Sequence, residues 1–453
     1  MKFAKFAVAA VAALSFSSAY AFHDGGVATC DGCHTMHNSK GNKSMSRKGA
    51  GVQFQGEIYL LQGSDQSSTC LNCHAAADTS PKSYHIMTYP VPAAGTAPAE
   101  MSPGGDFAYL AKSYVTAIRG APYTNAGDKH GHNVLAGDYG LVADSKLATA
   151  PGGNYDATKF SCISCHDPHS RARIVDAAGT IESSAFGAKT LPIGASGSYG
   201  ALPIVGEEAV GVYRLLAPTG YVPMSVPTAT AFVNNPPVAV APSTYNRKES
   251  ATDTRVAYGS GMSEWCANCH GAIHNNGVNS GNTKLIHPAG NGALLTAQAN
   301  DLNGNPLGTT IANIYNAYKG SGDLTGTQAT SYDSMIPFEE GATDVTALAA
   351  KAVIDGTQVG GPVTGTENVM CLSCHRAHAT AFPQMSRWNN NAPFVAVDGQ
   401  WPGKDITTNA EVANGEFNQG LTQAEYQAAM YDRPATRYAF FQRSLCNKCH
   451  AKD

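Results

Sequence analysis

Six copies of one short motif constrain this chain more than any other feature. All 12 cysteines of the 453-residue sequence fall into Cys-x-x-Cys pairs, and a histidine follows every pair directly. The pairs are Cys30 and Cys33, Cys70 and Cys73, Cys162 and Cys165, Cys266 and Cys269, Cys371 and Cys374, and Cys446 and Cys449. The histidines that follow them are His34, His74, His166, His270, His375 and His450.

Cys-x-x-Cys-His is the attachment motif of haem c. Two thiols three residues apart form thioethers with the two vinyl groups of one haem, and the adjacent histidine becomes the fifth ligand of the iron. The sequence therefore predicts six covalently attached haem c groups, which we number one to six in chain order.

Zinc sites and disulfides are the alternative uses of such cysteines. Successive first cysteines lie 40, 92, 104, 105 and 75 residues apart, whereas a zinc site pairs two Cys-x-x-Cys units at short range. A thioredoxin-like dithiol expects a single pair near a βαβ pattern, which this sequence lacks. Zinc sites, disulfides and a redox-active dithiol are therefore all disfavoured.

Nine histidines remain as candidates for the sixth iron ligands. A second histidine on every iron would make each haem low-spin and closed, as suits electron transfer rather than substrate binding. His37, His169 and His378 each follow a proximal histidine by three residues. Residues three apart project to the same side of a helix or turn. We therefore expect each of these histidines to ligate a different haem from the one bound by the proximal histidine three residues before it.

The other candidates lie in predicted loops. His132 and His287 are flanked by Gly or Pro, and His85 follows the second motif closely enough to reach the first or second haem. His130 competes with His132, which we favour. His23 is either a ligand or part of a frayed terminus, and His274 is a ligand or the end of a helix. Methionine as a sixth ligand would raise the potential of its haem, but histidines outnumber the irons.

Residues 1–21 read as a secretory signal peptide. Lys2 and Lys5 precede an apolar run too short to span a bilayer, and an Ala-x-Ala site at 19–21 predicts a mature chain that begins at Phe22. No later stretch has membrane-spanning length, so we expect no transmembrane segment. A net charge of -4 gives no basic surface for nucleic acid.

Composition and periodicity predict little regular structure. Charged residues are 14% of the chain, which also holds 47 glycines and 24 prolines, and prolines interrupt the cysteine-free segment 170–265. We predict short helices at each motif, at 311–318 and at 422–431, where Thr422 and Glu425 form a capping-box pattern. The fold class is a multihaem cytochrome c, in which mostly irregular coil with short helices and a few short strands wraps a column of six haems. Residues 22–453 would form one such unit, unfolded without haem.

Several segments resemble the OmcS-type family of extracellular hexahaem cytochromes. They are the start from Phe22 to Ser39, the segments 241–247, 261–270 and 321–329, and the C-terminal Leu-Cys-Asn-Lys-Cys-His-Ala-Lys-Asp. The resemblance spans essentially the whole mature chain. It implies polymerisation into extracellular filaments, with a continuous haem chain of alternating parallel and T-shaped pairs.

Two residue assignments come from the resemblance alone. His37 corresponds to the histidine that ligates the fifth haem, the one on Cys371, Cys374 and His375, in the neighbouring subunit. His130 stands where the family has a lysine, which favours His132 as the ligand and leaves His130 as a solvent-exposed residue.

The resulting hypothesis is an electron carrier, not an enzyme, that conducts electrons along a homopolymeric filament. Its acceptors would be metal oxides, partner cells, electrodes and other multihaem cytochromes. One alternative is a multihaem reductase, which needs a haem with an open site and often a variant motif, absent here. The other is a monomeric periplasmic shuttle.

Overall fold

The structure is a computed structural model. It describes residues 30–35, 39–40, 43–44, 60–77, 85–98, 102–170, 172–183, 193–195, 207, 209–241, 256–274, 287–301, 304–352 and 365–450. The predicted signal peptide, His23 and His37 lie outside these ranges.

Helices in the described ranges are short, as expected. The α-helices are Cys30–Cys33, Gln66–His74, Met262–His274, Ile311–Ala317, Val345–Lys351, Cys371–Cys374, Gly415–Asn418, Gln423–Ala429 and Asn447–His450. The 3₁₀ helices are Phe107–Ala111, Gly127–Lys129, Gly137–Tyr139, Ala157–Lys159, Cys162–Ser164, Tyr213–Leu215, Pro383–Met385 and Ala435–Arg437. Every motif therefore contains helical residues, which confirms that prediction, although the third forms only a 3₁₀ turn.

Local capping explains where several helices begin. The Thr422 side chain accepts the backbone N–H of Glu425, whose carboxylate accepts the backbone N–H of Thr422 at 3.1 Å. This reciprocal pair satisfies two N–H groups that the first turn leaves unpaired. The predicted capping box is thus confirmed, but the helix ends at Ala429, because Tyr431 adopts a positive φ of 58°.

The strands in the described ranges are equally short. They are Ser39–Lys40, Lys43–Ser44, Ala75–Ala76, Met87–Thr88, Tyr114–Ile118, Ala121–Asn125, Arg173–Ile174, Ile181–Glu182, Ile193–Ala195, Ala209–Gly211, Ala239–Val240, Ala257–Tyr258, Gln298–Asn300, Pro306–Thr310, Phe394–Ala396 and Gln442–Arg443. One sheet has four strands, in the order 181–182, 173–174, 209–211 and 193–195, and the others are pairs. The segment 170–265 thus consists mainly of loops and short strands over its described part, as predicted.

An aromatic core is the feature that sequence reasoning missed. Trp388 and Trp401 are fully buried, and their indole N–H groups donate to the carbonyls of Ser334 at 2.9 Å and Arg433 at 2.7 Å. Tyr426 packs against Trp401 with ring centres 5.7 Å apart. One hydrophobic cluster runs from Leu71 to Leu445, so the chain packs around protein side chains as well as around its predicted cofactors.

Within the part of the chain that is described, no helix has both the length and the apolar character needed to cross a bilayer.

Candidate haem-binding sites

A large cavity passes between the motifs. Its volume is about 1310 Å³, above the roughly 300–1,000 Å³ of ordinary small-molecule sites. Cysteines of the first five motifs line it, together with the proximal histidines His74, His166, His270 and His375. His85, His132, His274, His287 and His378 also line it, whereas His130 does not.

Four pairs of histidine rings have the separation that an iron between them would require. Two imidazoles that bind one metal from opposite sides, at about 2 Å per nitrogen, hold their ring centres roughly 6 Å apart. The observed separations are 6.1 Å for His34 and His169, 6.4 Å for His166 and His378, 6.1 Å for His270 and His132, and 6.1 Å for His450 and His287.

Hydrogen bonds to backbone carbonyls fix the orientation of many of these rings. Nδ1 lies 2.7–2.9 Å from a carbonyl in four of them: His132 with Ala377, His166 with Arg214, His270 with Pro151, and His287 with Pro288. In His375 the same nitrogen lies 2.6 Å from the carbonyl of Gln384. Donation from Nδ1 leaves the lone pair of Nε2 for iron, as in other histidine-bound metal sites.

Burial keeps five of the candidate ligands neutral. It lowers the pKa of His132 to about 4 and that of His378 to about 3, and it also lowers the pKa values of His166, His375 and His450. Only a neutral imidazole offers a lone pair to a metal. These five rings are therefore in the required protonation state at neutral pH.

Close packing of backbone against ring adds a further constraint at His378. A Cβ on Gly104 would lie 2.5 Å from Nδ1 of His378, and Phe107 stacks on the same ring with centres 4.6 Å apart. Glycine is needed here because a side chain would displace the imidazole.

Cysteines of consecutive motifs lie close enough to interact, in chain order. Cys33 of the first motif interacts electrostatically with Cys73 of the second, and Cys70 of the second hydrogen-bonds to Cys162 of the third. Cys165 interacts electrostatically with Cys269 of the fourth. Further along, Cys266 hydrogen-bonds to Cys371 of the fifth, and Cys374 interacts electrostatically with Cys446 of the sixth. The fold therefore brings each motif near the next one along the chain.

Several of the thiols lie in surroundings that favour an uncharged sulfur. Burial raises the pKa of Cys269 and Cys374 to about 11 and that of Cys449 to about 12. Cys162 and Cys371 depart from this pattern, because a hydrogen bond with Cys70 lowers the pKa of Cys162 and one with Cys266 lowers that of Cys371 to about 7. A redox-active dithiol needs a lowered pKa, whereas buried, apolar surroundings suit the uncharged sulfur of a thioether.

The zinc and disulfide alternatives find no geometric support. All 12 cysteines lie in the described ranges, and none of them forms a disulfide there. Across the same ranges, no three His, Cys, Asp or Glu side chains come together as a metal-binding group.

His130 corrects one sequence-based expectation. It is fully buried rather than solvent-exposed, and Nδ1 lies 2.8 Å from the carbonyl of Tyr109. Its ring packs beside Tyr114 with centres 5.6 Å apart, and burial lowers its pKa to about 4. Because it lies outside the cavity, its burial serves packing.

His85 and His274 occupy different surroundings within the cavity. His85 is buried, and the backbone N–H of Ile86 donates to the carbonyl of His74 at 2.9 Å, which places His85 beside the second motif. His274 ends the helix Met262–His274, and its Nε2 lies 3.5 Å from Oε1 of Glu264. His85 is therefore the better placed of the two for the second haem.

His375 differs from the paired proximal histidines. Among the described residues, no histidine ring is paired with it as in the four pairs above. The predicted ligand for its iron, His37 of a neighbouring subunit, lies outside the described ranges.

Comparisons with known proteins identify the family of the chain. The chain is 50% identical over 457 residues to the C-type cytochrome OmcS of Geobacter sulfurreducens, with 100% of this chain and 99% of that protein covered. Two solved structures, of OmcS nanowires and of an outer-membrane cytochrome S filament from the same organism, align with TM-scores of 0.79 at 49% identity. Each alignment covers 95% of this chain and 100% of the other. No protein-family model matches the chain.

Proposed function

Because this chain belongs to the OmcS-type family of multihaem c-type cytochromes, we propose that it carries six haems and conducts electrons along them through a homopolymeric extracellular filament. The observation that carries the proposal is the order of the cysteine interactions, in which a cysteine of each motif interacts with a cysteine of the next motif along the chain. Six haems attached at such sulfurs would form one continuous column.

The histidine pairs support the same arrangement. Covalent attachment and two axial imidazoles would hold the first, third, fourth and sixth haems through His34 with His169, His166 with His378, His270 with His132, and His450 with His287. His74 with His85 would hold the second haem. Haem c supplies reversible one-electron transfer at its iron, and the chain's own residues hold the imidazoles of His132, His166 and His375 neutral and oriented.

Shared ligand segments would tie together haems that lie two places apart in the column. His169 follows the proximal His166 by three residues, yet its ring faces His34 of the first motif. His378 follows His375 in the same way, and its ring faces His166 of the third motif. Each short segment would thus ligate two irons, and this would fix the distance between the two haems.

The filament proposal rests on the family and on the fifth haem. The relatives of known structure are filaments, and the resemblance assigns His37 to the fifth haem of the neighbouring subunit. A ligand supplied across an interface would make polymerisation part of completing the site. Residues 22–453 would then form one hexahaem unit, exported after cleavage before Phe22.

The proposed role is electron transfer to extracellular acceptors such as metal oxides, partner cells, electrodes and other multihaem cytochromes. An enzymatic reductase would need an iron with an open position. We therefore expect the purified protein to bind no carbon monoxide when reduced, and a high-spin signal would favour the reductase alternative.

Mass spectrometry and electron microscopy test the proposal together. The intact exported protein should begin at Phe22 and carry the added mass of six haems. Electron micrographs should show filaments, and a His37→Ala variant should retain six haems but fail to polymerise. A smaller haem mass would overturn the haem assignment. Normal filaments from the variant would overturn the role of His37, whereas dispersed monomers of the unaltered protein would favour the periplasmic shuttle.

A further inference from the structure

The residue before the second cysteine differs in kind between the sixth motif and the others. It is Gly32, Asn72, Ser164, Asn268 and Ser373 in the first five motifs, and Lys448 in the sixth. Lys448 is thus the one lysine or arginine within the six Cys-x-x-Cys-His motifs of the sequence.

In four of the other motifs this position forms neutral local anchors. Ser164 accepts a hydrogen bond from the hydroxyl of Tyr155 at 2.6 Å, and Ser373 donates to the carbonyl of Pro337 at 2.6 Å. Asn268 accepts the backbone N–H of Val233 at 2.9 Å, and Asn72 accepts the hydroxyl of Tyr139 at 3.3 Å. A neutral side chain is therefore sufficient to hold a motif in place.

Lys448 is fully buried among aromatic rings. Its Nζ donates to the carbonyl of Tyr315 at 3.0 Å and lies 4.2 Å from the centre of the Tyr315 ring. The ring of Tyr332 is 5.3 Å away, and both tyrosines are buried. Contacts with two π faces and a carbonyl stabilise an ammonium group in a region that excludes water.

Lys448 lies directly beside the attachment site. It precedes Cys449 in the helix Asn447–His450, and its side chain is fully buried. The charge is therefore close to the residue that would bind the sixth haem, in a region that excludes water. A cation in a low-dielectric region favours the reduced form of a nearby iron, because reduction adds one negative charge.

We propose that Lys448 raises the reduction potential of the haem attached at Cys446 and Cys449. This haem ends the column within one subunit, so the buried cation favours electron occupancy at the boundary with the next subunit. The inference rests on the proposed attachment of six haems.

Potentiometric titration of the holoprotein, followed by haem absorbance, tests the inference. In a Lys448→Met variant, about one sixth of the change in haem absorbance should occur at a lower potential than in the unaltered protein. We expect at least a tenfold change in the ratio of oxidised to reduced haem, equivalent to about 59 mV for one electron. Lys448→Arg keeps the charge and should restore the original titration.

Two further variants separate charge from packing and folding. Lys448→Gln is a second neutral variant whose amide can still donate to the carbonyl of Tyr315, which protects the fold. Lys404→Met removes the same charge from an exposed position and should leave the titration unchanged.

The result that overturns the inference is a Met or Gln variant with six low-spin haems and an unshifted titration. An equal shift in the Arg variant would also overturn it, because packing rather than charge would then be responsible. Loss of haem mass in the unaltered protein would instead count against the proposed function.

Discussion

The imidazole rings of His34 and His169 lie 6.1 Å apart, centre to centre, and are inclined by only 15°. His34 belongs to the first motif, whereas His169 follows the third motif by three residues. The two residues are far apart in sequence, and the fold brings them to the separation that one iron between two nitrogens requires. This pairing links the chain's first haem site to its third.

Removal of His169 should open one iron. We expect His169→Ala to convert about one sixth of the haem from low-spin to high-spin and to create one carbon monoxide site per chain. Electron paramagnetic resonance and optical titration with carbon monoxide would measure both changes.

The matched control is His130→Gln. His130 is buried like a ligand, and Gln can still donate to the carbonyl of Tyr109, yet the residue lies outside the haem cavity. The control should stay fully low-spin. High-spin haem in this variant, or none in His169→Ala, would contradict the pairing of His34 with His169.

The second haem distinguishes His85 from His274. His85 lies beside the second motif, whereas His274 is within ion-pair distance of Glu264. His85→Ala should therefore create one carbon monoxide site, and His274→Ala should create none. An intact mass with six haems would show that both variants fold. The opposite pattern of carbon monoxide binding would reassign the ligand to His274.

Gly104 should be intolerant of a single methyl group. A Cβ there would lie 2.5 Å from Nδ1 of His378, so Gly104→Ala should tilt or displace that imidazole and change the low-spin signal of the third haem. Gly137→Ala is the control, because its Cβ would meet its nearest neighbour at an ordinary 3.5 Å. Identical electron paramagnetic resonance spectra for the two variants would show that the contact with Gly104 does not hold the His378 ring in place.

Asp106 should make the unfolding free energy depend on pH. Burial raises the pKa of its carboxyl from 3.8 to about 6, although it accepts hydrogen bonds from Thr88 and Ala108. Between these pH values the folded state binds more protons than the unfolded state. The free energy of unfolding therefore falls as pH rises from about 4 to about 6, by roughly 3 kcal/mol, and remains lower above that range.

Asp106→Asn should remove this contribution, since an amide can keep both backbone hydrogen bonds without ionising. Urea unfolding at pH 4 and pH 7 measures the difference between the variant and the unaltered protein. For Asp323, hydrogen bonds with Thr325 lower the pKa, so Asp323→Asn should produce no such loss of pH dependence. Equal pH dependence in Asp106→Asn and the unaltered protein would contradict the assignment.

Short-range features were predictable from the sequence because local chemistry fixes them. The spacing of Cys-x-x-Cys-His determines the haem attachment chemistry. The fold class, and the family that the resemblance of several segments indicated, are confirmed by the filament structures. The capping box of Thr422 and Glu425 and the helix Ile311–Ala317 also follow from neighbouring residues. In each case the interacting groups lie within a few positions of one another.

Tertiary structure alone decided which distant groups meet. The sequence marked His130 and His132 as competitors, but only the fold places His132 in the cavity opposite His270 and buries His130 against Tyr109 and Tyr114. The aromatic core around Trp388 and Trp401 likewise has no local signature. Composition and spacing specify the chemistry of a ligand, whereas its partner depends on long-range packing, which no short stretch of the chain encodes.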